Sequence, residues 1–284
     1  MIGRRPLLAA ALLAQAGPVR AGPTPRWLTL PPTPALPATA RSGLVLVNGI
    51  KVWHAVFGNG EPVVMLHGGL ANADYWGLQV PELARHHQVI VMDSRGHGRS
   101  TRDGQPYGYD LMADDVVGLL DQLQISKAAV VGWSDGAILG LNIALRHPGR
   151  VSRVFAFAAN TDPGGVMPHV EKNPTFAAYI GRAGQEYARL SPTPGDYGAF
   201  VKAVSRMWAT QPNWTAAQLG RIGVPVLVAD GDHDEAIKRA HTELIAARIP
   251  GAGLLIQPNV SHFAFLQDAA GFTGDVLRFL AEGA

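Results

Sequence analysis

From residue 42 onward, apolar positions follow two alternating rhythms. Short, nearly continuous apolar runs predict buried strands, and stretches with apolar residues every three or four positions predict amphipathic helices. Residues 44–47 and 51–57 read as two early strands joined at Asn48-Gly49, a pair suited to a tight hairpin. Further strands are predicted at 62–66, 88–92, 128–131, 154–158, 224–229 and 253–257. Helices are predicted at 75–85, 109–123, 136–146, 235–248 and 271–281. In 109–123, Met112, Val116, Leu119, Leu120 and Leu123 share one face, with Asp114, Asp115 and Asp121 off it. This alternation predicts an α/β fold: a mostly parallel eight-stranded sheet, helices on both faces, and right-handed crossovers.

Two regions break the rhythm. Residues 160–220 are rich in Pro, Gly and aromatics, with weak helical patches at 176–190 and 197–208, and read as a small cap inserted over the sheet's carboxyl edge. Upstream, Pro18, Pro23, Pro25, Pro31, Pro32, Pro34 and Pro37 block regular structure, so 22–41 reads as an extended leader and the folded domain as 42–284. The first 21 residues have the layout of a signal peptide: Arg4-Arg5, a Leu/Ala run from Pro6 to Ala14, and small-x-small sites at Ala14-Gln15-Ala16 and Val19-Arg20-Ala21. The run is well short of the roughly 20 residues of a membrane span. Gly3-Arg4-Arg5-Pro6-Leu7-Leu8 also resembles a twin-arginine signal, so the expectation is an exported, periplasmic or secreted protein without stable membrane insertion.

Composition narrows the chemistry. At 47% hydrophobic and 16% charged residues, the chain is too apolar for disorder. The formal charge of +2 turns to −1 once Arg4, Arg5 and Arg20 are set aside, so nothing points to nucleic acid. There is no cysteine, which excludes disulfides, thiol nucleophiles and cysteine metal sites.

Gly132-Trp133-Ser134-Asp135-Gly136 follows one predicted strand and opens a helix, the context of a nucleophile elbow. A tight strand-to-helix turn forces Ser134 into a strained conformation and lifts its hydroxyl clear of the sheet. The base should come last in the chain, and His262 in Ser261-His262-Phe263 follows the final strand. The acid should leave the preceding strand, where Asp230, Asp232 and Asp234 cluster; Asp234 leads, with Asp232 and Asp162 in reserve. An oxyanion hole needs two backbone amides, and Gly69 in His67-Gly68-Gly69 together with Asp135 would supply them. His67 reads as a brace. A metal site at Asp232, His233 and Asp234 is disfavoured because adjacent loop residues rarely point to one centre.

These motifs, with Asp93-Ser94-Arg95-Gly96-His97-Gly98-Arg99-Ser100, resemble the α/β-hydrolase fold-1 family in order and spacing over roughly residues 42–282. The resemblance selects Asp234 over Asp232, because the family acid follows its glycine as G-x-x-D. Trp133 and Asp135 in the elbow are similar to the biphenyl-hydrolase-like and valacyclovir-hydrolase group. It implies a serine hydrolase acting on a small ester-like molecule through an acyl-enzyme on Ser134, without cofactor or metal. Amidase or peptidase, lactonase and C–C hydrolase activities remain alternatives on the same triad, as does a weakly catalytic small-molecule receptor. Trp76, Trp133 and Trp208, with Met207 and Trp214, are candidate walls of an apolar pocket. Asp135 has two readings: a partner for a substrate ammonium group, or a carboxylate turned into the protein or capping the following helix.

Overall fold

The computed structural model describes residues 24–39 and 41–282; the expected signal at 1–21 lies outside the described residues. In chain order the elements are β1 (Ser42–Val47), β2 (Ile50–Phe57), β3 (Glu61–Leu66), α1 (Val80–Leu83), β4 (His87–Met92), α2 (Tyr109–Gln122), β5 (Ala128–Trp133), α3 (Asp135–Arg146), β6 (Val151–Phe157), α4 (Pro174–Leu190), α5 (Tyr197–Trp208), α6 (Ala216–Leu219), β7 (Val226–Gly231), α7 (Arg239–Arg248), β8 (Gly253–Gln257), α8 (Ala264–Gln267) and α9 (Ala269–Ala281). The strands form one eight-stranded sheet in the order β1-β2-β4-β3-β5-β6-β7-β8. The β1–β2 and β2–β4 pairs are antiparallel and all others parallel.

The apolar runs are explained by burial on both faces. Val64, Leu66, Ile90, Met92 and Val130 point into one core, while Val63, Met65, Val89, Val91 and Val131 point into the other. The hairpin turn has positive φ at Asn48 (45°) and Gly49 (82°), as a type I′ connection requires. The chain steps from β3 outward to β4, then returns to the other side of β3 with β5. The carboxyl ends of β3 and β5 therefore diverge into a crevice, with Leu66 paired to Gly132 just below it.

Several expectations need correction. The helix predicted at 75–85 is a 3₁₀ turn at Ala73–Trp76 followed by the single turn of α1, because Gly77 and Pro81 interrupt it. Helix α7 begins at Arg239, since the Asp234 side chain first organises a turn by accepting the Ala236 and Ile237 amides. Helix α8, immediately after His262, was not expected. Asp115, placed on the polar side of α2, is buried and paired with Arg95 at 2.8 Å.

Residues 160–220 carry α4, α5 and α6 between β6 and β7. The proline-rich segment is extended, as its composition demands, but it is packed. Leu30 and Leu36 lie against the second core, so Ser42 begins the sheet and not the packed chain. No helix among the described residues is long and apolar enough to cross a membrane.

Candidate active site

Ser134 joins β5 to α3 with φ 55° and ψ −119°, a conformation that costs a non-glycine residue on the order of 1–3 kcal/mol. The turn closes because neither flanking glycine has a side chain. A Cβ on Gly136 would run into the Leu66 carbonyl, and one on Gly132 into the Gly136 carbonyl. The Ser134 amide donates to the Phe157 carbonyl at 2.8 Å, and its carbonyl accepts the Ala137 and Ile138 amides, so the strained residue is held from both sides.

His262 follows β8 on a buried loop, and its Nδ1 lies 2.8 Å from Oδ2 of Asp234, which follows β7. An imidazole nitrogen facing a carboxylate carries the proton, which leaves Nε2 as the basic atom. Burial lowers the imidazole's proton affinity below its ordinary value, keeping the ring neutral and ready to accept a proton. The other oxygen of Asp234 accepts the Ala236 and Ile237 amides at 2.6 and 2.7 Å. Burial pushes the Asp234 carboxyl up to about 7, although Asp230 and these amides pull it back.

Asp230, the penultimate residue of β7, belongs to the aspartate cluster visible in the sequence, where nothing assigns it a role beside Asp234. It is buried, accepts the Gly231 amide and the Thr242 hydroxyl, and lies close enough to Asp234 for the two carboxyls to shift each other's proton affinity. Desolvation and the neighbouring Asp234 charge raise its carboxyl well above the usual range.

Ser134, His262, Gly69 and Asp135 line one cavity of about 150 Å³ at the switch point. The Gly69 and Asp135 amides donate to no acceptor among the described residues, which leaves both free for an oxyanion. His67 is a brace: its Nε2 accepts the Ser94 amide at 3.0 Å and its Nδ1 faces the Gly68 carbonyl at 2.7 Å. Tyr179 from α4 donates its hydroxyl to the Gly69 carbonyl and so ties the cap to this loop.

The Asp135 carboxylate neither caps α3 nor stands free. It accepts the Tyr109 hydroxyl at 2.8 Å and the Trp208 indole N–H at 2.9 Å, latching the elbow to α2 and to the cap helix α5. Burial raises its proton affinity, against the pull of those two donors.

Of the expected aromatic walls, Trp133 and Trp208 line the cavity. Trp76 does not. It is fully buried behind the site against Phe265 and Phe272, because the turn after Asn72 points it into the second core. Met207 is buried in the first core and Trp214 packs against it, so neither reaches the cavity. Unforeseen walls come from the cap, chiefly Phe176, Tyr179 and Ile180; their spacing of three and four was the available signal.

The remaining reserves are placed elsewhere. Asp162 caps the turn at Gly164, and Asp232 accepts the Val260 amide. His233 turns away to stack on Trp27, and among the described residues no cluster of three or more His, Asp or Glu is placed to hold a metal ion.

Comparison with known proteins bears on the family and the fold. Residues 61–195 match the family model described as the alpha/beta hydrolase fold. The chain is 30% identical over 267 residues to a 2-hydroxymuconate semialdehyde hydrolase of Pseudomonas sp. strain CF600, covering 84% of this chain and 93% of the relative. It is 24% identical to the human serine hydrolase BPHL, covering 85% of this chain and 87% of that one. The crystal structure of the enol-lactonase from Burkholderia xenovorans LB400 superposes with a TM-score of 0.69 at 26% identity, covering 84% of this chain and 100% of that one.

Proposed function

The chain belongs to the alpha/beta hydrolase family and is a hydrolase, and on that premise we propose that it cleaves carboxylic esters of compact, uncharged acyl groups through an acyl-enzyme on Ser134. The observation that carries this reading is the 2.8 Å bond between His262 and Asp234, set beside Ser134 in a largely apolar cavity.

Nε2 of His262 takes the Ser134 proton as Oγ attacks the acyl carbon. Negative charge develops on the carbonyl oxygen, toward which the Gly69 and Asp135 amides donate; each such donor is worth roughly 3 kcal/mol. The ester C–O bond then breaks, and the departing alcohol takes the proton from His262. Water, deprotonated by the same nitrogen, attacks the acyl-serine, and collapse of that intermediate releases the acid and restores Ser134. Asp234 stabilises the imidazolium formed in each half.

Charge at the walls narrows the substrate. No lysine or arginine is among the described residues lining the cavity, and Asp135 adds a carboxyl group. An acyl chain with its own carboxylate would lose hydration without gaining a counter-ion, a cost of several kcal/mol. The Pseudomonas relative named for a muconate thus offers less guidance to substrate than the enol-lactonase, and uncharged lactones are the second reading.

The test compares p-nitrophenyl butyrate with the p-nitrophenyl monoester of succinate, alongside labelling of Ser134 by a fluorophosphonate. Labelling and a preference for butyrate of about a hundredfold in kcat/KM are expected. Equal rates would refute the charge argument, and an unlabelled Ser134 would refute the hydrolase mechanism in favour of a receptor.

The same proposal includes export through the Arg4-Arg5 signal, with cleavage after Ala16 or Ala21. Either cut leaves the packed segment from Thr24 onward in the mature protein, and the mass of the mature amino terminus tests this.

A further inference from the structure

The proline-rich segment before β1 touches both halves of the catalytic apparatus. Its 3₁₀ turn, Arg26–Leu28, sits where the acid and base loops meet. The Trp27 indole stacks on the His233 ring with centroids 4.0 Å apart and planes 8° from parallel; His233 immediately precedes Asp234. Arg26 pairs with Asp268 at 2.7 Å, just beyond α8. The Thr29 carbonyl accepts Nε2 of Gln267 at 2.8 Å. That amide group also brackets Ser261, accepting its N–H at 2.7 Å and donating to its hydroxyl at 2.9 Å. Ser261 is the residue before His262.

The next, extended stretch of the segment grips the cap. Arg182 on α4 donates to the Leu30 and Pro31 carbonyls, and Thr33 donates to the buried Glu186 carboxyl, which also accepts from Asn72. Helix α4 in turn carries Tyr179, whose hydroxyl holds the Gly69 carbonyl. Further on, the Ala35 carbonyl lies so close over Gly77 that no side chain would fit there. Prolines suit this task because a chain already confined in φ loses little entropy when it is laid across a surface.

We infer that residues 26–35 are a positioning strap for the reaction, holding the Asp234 and His262 loops together and fixing the oxyanion loop through α4. The two loops also meet directly, through the His262–Asp234 pair, the His233 N–H on the Val260 carbonyl, and the Val260 and His262 amides on the Asp232 and Glu235 carboxylates, and the strap adds a brace from outside this contact. A shift of a fraction of an ångström at His262 costs rate while the apolar walls from other elements, such as Phe176 and Ile180, stay in place. Trp27 and Gln267 are therefore positioning residues, and their loss should lower kcat and leave KM nearly unchanged.

This inference rests on the hydrolase reading above, and the test separates the two. Full-length wild type, Trp27→Ala, Trp27→Phe and Gln267→Leu are compared for fluorophosphonate labelling rate, kcat, KM and Tm, with Ser134→Ala as the control for the labelled residue. The strap predicts that Trp27→Ala and Gln267→Leu lose about tenfold in kcat and in labelling rate, with KM within about twofold, and that Trp27→Phe restores most of both. Labelling and kcat unchanged in both variants, or a lower Tm alone, would overturn the strap and leave the hydrolase intact. A wild type that is not labelled would overturn the hydrolase reading and the strap with it.

Discussion

Nδ1 of His262 and Oδ2 of Asp234 stand 2.8 Å apart at the ends of two neighbouring strands, both side chains almost wholly buried. In that dry setting the carboxylate both orients the imidazole and stabilises its charged form, so the pair should behave as one unit. Asp234→Asn is expected to lower kcat by about 10³–10⁴ and change KM little, because the amide can present its N–H to Nδ1 and select the wrong tautomer. Steady-state kinetics on p-nitrophenyl butyrate measure this; a loss below tenfold would assign the acid elsewhere.

The pH profile follows from the same pair. Activity needs a neutral imidazole beside an ionised carboxylate. Burial lowers His262 and raises Asp234 to about 7, so kcat/KM should fall as pH drops through about 7, with a limb belonging to the pair. In Asp234→Asn only the imidazole titrates, and the residual limb should move below the ordinary histidine value. A limb that stays in place would tie it to another group.

Asp230 offers a test through stability. Its folded-state carboxyl holds its proton well above the unfolded value of 3.8, so its contribution is fully present below that value and is lost as pH rises through the folded value. Asp230→Asn cannot ionise, and it keeps an acceptor for the Gly231 amide. The variant should melt higher than wild type at pH 8, with the gap closing toward pH 4, and should keep most of its activity. Parallel melts from pH 4 to 9 decide the matter, and a gap that widens toward acid would show that Asp230 is ionised.

The latch at Asp135 predicts a binding defect. In Asp135→Leu, close in size but without an oxygen, both the Tyr109 hydroxyl and the indole N–H of Trp208 lose their acceptor. Trp208 should then swing out of the wall, raising KM several-fold with a smaller fall in kcat and changing tryptophan fluorescence. Unchanged KM and fluorescence would mean that α5 is held by other contacts.

What could be read in the one-dimensional chain is what local geometry dictates. All eight strands are legible in the sequence: the central ones because strands buried on both faces must be apolar throughout, as at 62–66 and 128–131, and the more exposed edge strand β1 because Asn48-Gly49 marks its hairpin with β2. The elbow could be recognised because only glycines tolerate the crowding around Ser134. Order after strands points to His262 and to the cluster of Asp230, Asp232 and Asp234, within which the family resemblance selects Asp234. The misplaced parts depend on partners distant in sequence. Trp76 has the composition of a pocket wall, yet the turn after Asn72 sends it into the core. Prolines at 31–37 announce extended chain, but only Arg182, Glu186 and Gln267, roughly 150 to 240 residues away, decide that the segment is packed. Sequence alone determined the elements and the chemistry available at each loop, because backbone sterics and burial are local demands. Tertiary structure decided which loops meet, which carboxyls hold their protons more tightly and what charge faces the substrate, because desolvation and hydrogen bonding depend on neighbours that chain order does not name.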